Sequence, residues 1–339
     1  MTGTVLVTGG SGYIAGFLIR QLIVEGWTVR ATIRSLSREG EVRRTLASDD
    51  TRLTFHAADL TADAGWAEAV AGCTHVAHVA SPFPPGAVKD AQELIGPARD
   101  GTLRALRFAR DAGVTRFVMT SSTAAVAYGA LKPGHAYTEA DWTDATHPDA
   151  YPYVQSKTIA ERAARDWVAA EGQGIEFCTI NPSLVVGPIL SPDFSTSVEA
   201  IRKLLAGELP GVPDLSFGVV DVRDVAELHV RALTAPGMAG ERFIASTAVL
   251  GMLQIARVLK ERLGEQARRV PTRSLPNFLV RISALFDPVV RQVVSELGKK
   301  RVIDSSHAKS VLGWTPRPVE ESLVDCARSL IDLGVVKVR

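Results

Sequence analysis

The stretch Thr4 to Gly26, TVLVTGGSGYIAGFLIRQLIVEG, decides how the rest of the chain is read. Val5, Leu6 and Val7 form a short apolar run that stops at Gly9, Gly10, Ser11 and Gly12, and an apolar-periodic segment then continues to Gly26. This order spells strand, turn, helix. Glycines let the turn approach a ligand closely, and the first N–H groups of the helix point at it with the positive end of the dipole, which suits a diphosphate. By itself the turn is a weak signal, because any tight strand-to-helix connection uses glycine.

The residues after the helix add weight. A second strand, Thr28 to Ile33, ends in Arg34, with Ser35 and Arg38 close by and no acid before Glu39. In dinucleotide-binding βαβ units an acid about 20 residues past the glycines holds the ribose hydroxyls, whereas an Arg accommodates a 2'-phosphate. Arg34 therefore predicts NADP(H) over NAD(H); the competing reading is a solvated charge at a strand end.

The 339 residues carry 38 basic and 37 acidic side chains, a net charge of +1, which gives nucleic acid no electrostatic footprint. The chain is long enough for one large domain or two smaller ones. At 46% hydrophobic residues it reads as an ordinary soluble protein, and no apolar run approaches the roughly 18 residues of a membrane span. Residues enter the first strand at once, so no secretory leader is expected. Cys73, Cys178 and Cys326 lie too far apart for a disulfide framework or a metal site, which fits a reducing, cytoplasmic compartment. His75 and His78 share a strand at a spacing that sends them to opposite faces, and read as structural.

Further strands are expected at Leu53 to Ala57, Thr74 to Val79, Arg116 to Thr120, Ile175 to Ile180 and Arg242 to Ala245, with helices at Asp63 to Ala71, Asp90 to Ala112 (broken near Pro97), Tyr153 to Ala170 and Asp221 to Leu233. The alternation predicts an α/β fold, a doubly wound parallel sheet of Rossmann type. Residues 1–182 with 218–246 would form the dinucleotide-binding domain, and 183–217 with 247–339 a smaller, discontinuous, mostly helical substrate-binding region. Asp59 and Leu60 end the third strand on the ligand side, where Asp59 either receives an adenine amino group or caps the next helix. After the fourth strand, Ala80-Ser81-Pro82-Phe83-Pro84-Pro85 enforces a loop above the sheet. The apolar segment Leu275 to Leu297 reads as core in preference to pocket lining or a dimer face.

The fifth strand delivers Ser121 and Ser122 to the edge that carries the glycine turn, and Tyr153 and Lys157, at i and i+4, share one face of the next long helix. A tyrosine pKa near 10 leaves about one phenol in a thousand ionised at neutral pH. A lysine one turn away, joined by a cationic oxidised nicotinamide, favours the phenolate and so makes a better proton donor to a carbonyl oxygen. Three pKa units correspond to roughly 4 kcal/mol. Tyr-x-x-x-Lys alone is a common accident of helix surfaces; its weight comes from meeting the phosphate turn and a serine pair at one sheet edge.

These residues resemble the extended short-chain dehydrogenase/reductases, and within them the dihydroflavonol reductase group with its aldehyde, ketone and methylglyoxal reductase relatives. The similar stretches are VTGGSGYIAGFL, VRATIRS, AADL, HVASPF, FVMTSS, YVQSK, INPSLVVGP and DVRDVAELHV, in the family's order, across residues 5 to 233. The resemblance implies a pyrophosphate turn at Thr8, Gly9, Ser11, Gly12, Tyr13 and Ile14, with Ala15 where a third glycine is usual. It implies a 2'-phosphate contact at Arg34, adenine contacts at Asp59 and Leu60, and a loop over the cofactor at Ala80 and Ser81. Ser122, Tyr153 and Lys157 match the catalytic triad, with Ser121 the neighbouring candidate, and Pro182, Leu184 and Val185 match residues flanking the nicotinamide. The implied activity is NADPH-dependent reduction of an aldehyde or ketone, the substrate an apolar or aromatic small molecule and the protein a monomer or homodimer. A sugar-nucleotide epimerase or dehydratase retaining NAD, and a non-catalytic NADP(H) sensor, are the rival readings.

Overall fold

The computed structural model describes residues 3–82 and 90–338. Its strands are β1 (Thr4–Val7), β2 (Thr28–Ile33), β3 (Leu53–Ala57), β4 (His75–His78), β5 (Arg116–Thr120), β6 (Ala136–Tyr137), β7 (Glu176–Pro182), β8 (Leu184–Val186), β9 (Ser216–Asp221), β10 (Arg242–Ala245), β11 (Ala248–Gly251) and β12 (Val302–Ile303). The helices are α1 (Tyr13–Val24), α2 (Glu39–Leu46), α3 (Trp66–Val70), α4 (Gln92–Asp111), α5 (Pro152–Glu171), α6 (Thr196–Ala206), α7 (Val222–Thr234), α8 (Met252–Leu263), α9 (Asn277–Ser283), α10 (Pro288–Val293), α11 (Ser306–Leu312) and α12 (Val319–Asp332).

Seven strands form one parallel sheet in the order β10-β7-β5-β4-β1-β2-β3. The order reverses between β1 and β4, and that switch point opens the crevice in which such sheets bind ligands. Because both faces are covered, the strands are apolar on both sides. Leu18, Ile19 and Leu22 of α1 join Val225, Leu228 and Leu233 of α7 against one face. Ala105 and Leu106 of α4 join Ala160 and Ala164 of α5 on the other.

A second, three-stranded sheet, β11-β9-β8, leaves the end of β7 and packs with α6, α8 and α12 around its own core of Ile201, Leu204, Ile255, Leu259, Leu323 and Leu330. The domain boundary expected at residue 218 falls inside β9, which belongs to this sheet. Within the insert 129–150, β6 pairs with β12 from the C-terminal region.

Two expectations are corrected. Helix α4 runs through Pro97 unbroken, because Leu94, Ile95 and Ala98 on one side of it and Ala105 and Leu106 on the other bury the same face, which outweighs one missing N–H. Nor is the segment 275–297 ordinary core. Val280, Ala284 and Leu297 are buried, but Phe278, Leu279, Ile282, Leu285 and Phe286 are exposed, Phe286 by 84%. The proline-rich stretch 83–89, expected to be loop, lies outside the described residues. Among the described residues no helix is long and apolar enough to cross a membrane.

Candidate active site

The glycine turn is built to hold its backbone close to neighbours. Gly9 has φ +69°, and a Cβ there would stand 3.0 Å from the Cα of Ala80. Its N–H donates to Thr32 Oγ1 (3.0 Å), that of Gly10 to Thr32 O (2.7 Å) and that of Gly12 to Gly9 O (2.8 Å). Gly12 caps α1, whose first turn contains no acidic residue, so no carboxylate of that turn competes for the N–H groups at Tyr13 and Ile14. Thr8 is fully buried; its hydroxyl accepts from the Ala80 N–H (3.0 Å) and bonds His78 Nδ1 (3.1 Å). Thr8 thus anchors the β4 end, with Ala80 and then the half-buried Ser81, over the turn.

Beyond the turn a cavity of about 350 Å3 is lined by Ser11, Ile33, Arg34, Ser35 and Arg38. Arg34 is exposed. The Arg38 guanidinium is engaged by Glu41 (2.7 Å) and by Asp193 (3.5 Å). This combination fits a dinucleotide: a turn whose Gly9 and Gly10 leave no room for a Cβ, an acid-free helix start, and guanidinium and hydroxyl groups where a phosphate on the adenosine side would lie. Asp59 Oδ1 accepts from the Thr61 N–H (2.8 Å) and hydroxyl (2.6 Å), which hold the carboxyl below its usual range. Its side chain therefore shapes a local turn, well ahead of α3 at Trp66. Leu60 packs under Gly101 of α4, where an added Cβ would lie 2.8 Å from its own.

At the other side of the crevice the serines part company. Ser121 Oγ donates to Glu161 (2.5 Å), whereas Ser122 faces Tyr153 and is its hydrogen-bond partner. Ser122 is held as the cap of a short 3-10 turn, its Oγ accepting from the Ala124 N–H (3.1 Å). Lys157 Nζ lies over the Tyr153 ring, 6.0 Å from its centre. Pro182 O is 3.5 Å from Ser122 Oγ, and β8 carries Leu184 and the buried Val185 onward from there. The glycine turn, Ser122, Tyr153, Lys157 and Pro182 therefore share one edge of one sheet.

The electrostatics differ from those expected of Tyr153. Burial pushes its phenol up, and the bond to Ser122 opposes this only in part. Lys157 is itself pushed down to about 8 by burial, with Glu161 opposing. Desolvation wins because the whole group lies in a low-dielectric crevice. Tyr151 stacks on Tyr153 (ring centres 6.4 Å apart), and Tyr128 meets Tyr151 edge-on at 6.3 Å with Arg301 beneath it at 4.7 Å. This aromatic wall and Glu161 escape a reading of the sequence. Only its place at i+8 from Tyr153 marks Glu161. Among the described residues no cluster of His, Cys, Asp or Glu could hold a metal ion.

Residues 5–245 match the NAD dependent epimerase/dehydratase family. The chain is 40% identical over 266 residues to the cinnamoyl-CoA reductase CAD2 of Medicago truncatula, covering 76% of this chain and 80% of that protein. It is 31% identical over 271 residues to a dihydroflavonol 4-reductase of Zea mays, 78% and 75% of the two chains. The yeast methylglyoxal/isovaleraldehyde reductase Gre2, solved with NADPH, superposes with a TM-score of 0.83 over 98% of this chain and 99% of its own at 24% identity. The resemblance to extended short-chain dehydrogenase/reductases holds along the matched length, and the chain belongs to the NAD dependent epimerase/dehydratase family.

Proposed function

We propose that the protein is an NADPH-dependent carbonyl reductase that converts an aldehyde or ketone reversibly to an alcohol. The observation that carries this reading is the meeting of Ser122, Tyr153 and Lys157 opposite the glycine turn. The names of its relatives, reductases of cinnamoyl-CoA and of dihydroflavonols, support it. Bound NADPH supplies the hydride. Gly9, Ser11, Gly12, Tyr13 and Ile14 hold the pyrophosphate, Arg34 with Ser35 the 2'-phosphate, and Ala80, Ser81, Asp59 and Leu60 the adenosine side. Thr8 steadies the turn; Pro182, Leu184 and Val185 flank the nicotinamide.

Ser122 donates a hydrogen bond to the substrate oxygen and points it at Tyr153, which gives its proton to the oxygen as negative charge develops there. Lys157 binds the nicotinamide ribose and, while protonated, stabilises the phenolate left behind. Burial raises the Tyr153 phenol, and a protonated Lys157 works against that shift as the phenolate forms. The tyrosine wall bounds the substrate, which is an apolar or aromatic small molecule. Three buried free thiols suit a reducing, cytoplasmic compartment.

NADPH oxidation against a panel of aromatic and aliphatic aldehydes, ketones and diketones tests the reading. Wild type consumes NADPH, and Tyr153→Phe lowers kcat by about a thousandfold, of the order that a proton donor contributes. Stoichiometric NAD on the purified protein, with no carbonyl reduced, would instead favour the epimerase.

A further inference from the structure

Glu161 has no part in the reaction as described, yet it lies one helical turn beyond Lys157 on α5 and is fully buried. Its Oε2 accepts from Ser121 Oγ (2.5 Å) and Asn181 Nδ2 (2.8 Å), and its Oε1 from Arg242 Nε (2.7 Å) and Arg165 Nε (3.3 Å), with Thr179 Oγ1 at 3.2 Å. These partners come from the residue after β5, from β7, from β10 and from α5 itself. Asn181 Nδ2 also donates to the carbonyl of Ser122 (3.2 Å), and Ser121 is the residue before it in the chain. One carboxylate therefore ties the helix that carries Tyr153 and Lys157 to the strand end that carries Ser122.

We propose that Glu161 is a positioning residue for the reductase chemistry: it fixes Ser122 opposite Tyr153 and keeps the buried Lys157 protonated. The inference rests on the proposed roles of Tyr153 and Lys157. Burying a cation disfavours its charge, and an anion nearby restores it. Around Lys157 and Glu161 the charged groups are Arg165 from α5 and Arg242 from β10. His78 of β4, held down at about 3, and Cys178 of β7, pushed up to about 12, stay neutral at working pH, as does Tyr153. The carboxylate is thus the negative member of a buried group of three cations. Two arginines would be satisfied by their other acceptors: Arg242 by the carbonyls of Glu139 and Asp141, Arg165 by those of Gly240 and Glu241. A purely structural acid would leave Lys157 and Ser122 indifferent to its loss.

The test compares wild type, Tyr153→Phe, Glu161→Gln and Glu161→Asp. Lys157 is titrated by 13C NMR in the cofactor-free protein, its signal assigned with Lys157→Met, and kcat and KM are followed against pH with NADPH. Wild-type Lys157, pushed down by burial, is expected to titrate near pH 8. In Glu161→Gln that midpoint falls by about one unit or more, equivalent to losing tenfold in the protonated fraction above it. Because the protonated lysine is the active form, the high-pH limb of kcat moves down by the same amount. From this shift kcat falls about twofold at pH 7 and about tenfold at pH 9, while KM stays within about threefold. Glu161→Asp keeps the charge and returns the limb most of the way to wild type. Should Glu161→Gln fail to fold, a smaller downward shift in Glu161→Asp carries the inference. A folded variant with an unmoved Lys157 midpoint and unmoved pH limb overturns it, whatever its loss of melting temperature. If wild-type turnover is indifferent to Tyr153→Phe, the reading of the site falls and the inference with it; if Tyr153 matters and Glu161 does not, the inference alone falls.

Discussion

At the glycine turn there is no room for one methyl group, whereas α9 and the residues after it leave whole rings in solvent. A Cβ on Gly9 would touch the Ala80 backbone at 3.0 Å; Phe278 is 61%, Leu285 68% and Phe286 84% exposed. The first region is set by backbone geometry, which tolerates few residue types. The second presents apolar surface, which many sequences supply and none specifies.

That contrast is tested most severely at Gly9. Gly9→Ala must adopt a left-handed backbone that costs about 1–3 kcal/mol, and it displaces Ala80 from the turn. Chemical denaturation is expected to show that loss, and NADPH titration by fluorescence to show affinity down by about a hundredfold, or about 2.7 kcal/mol. Wild-type affinity in Gly9→Ala breaks the account of the turn. Arg34→Ala is expected to act on one cofactor only. Loss of a charge-assisted hydrogen bond worth about 1.5–3 kcal/mol lowers kcat/KM for NADPH by about 10- to 100-fold, with NADH unchanged. An equal loss with both cofactors removes the 2'-phosphate from the argument. Phe286→Ala sets the other end of the scale. Removing an entire exposed ring is expected to move stability by less than about 0.5 kcal/mol, and a melting curve that drops as for a core residue means that α9 is covered in solution.

Strands β2, β3, β5 and β10 have the bounds read from the residues, because short apolar runs stopped by glycine, proline or polar clusters leave a buried strand little choice. Pro97 misleads, since proline predicts a break from local chemistry while α4 is held by the face it buries. The segment 275–297 misleads in the opposite way: its composition is that of core, but exposure depends on what packs across it. The Ser121 and Ser122 choice turns on which hydroxyl meets a carboxylate 40 residues later, a pairing that no local pattern encodes. Helical spacing puts Lys157 beside Tyr153, as the structure has it, but the sign of the tyrosine's shift depends on burial, which spacing does not report.

The bonds to Glu161 bear on the order in which the chain can assemble. Its shortest arginine contact comes from β10, 81 residues further along, and the other arginine, Arg165, also reaches for the carbonyls of Gly240 and Glu241 at the approach to that strand. If α5 docks on the sheet before β10 arrives, it buries an anion with incomplete compensation, at an effective penalty of several kcal/mol. Docking of α5 and of β10, the edge strand of the seven-stranded sheet, are therefore coupled events. Six of the eight recognisable motif stretches lie in the first 157 residues, yet the carboxylate of Glu161 gains its shortest arginine partner only when residue 242 arrives.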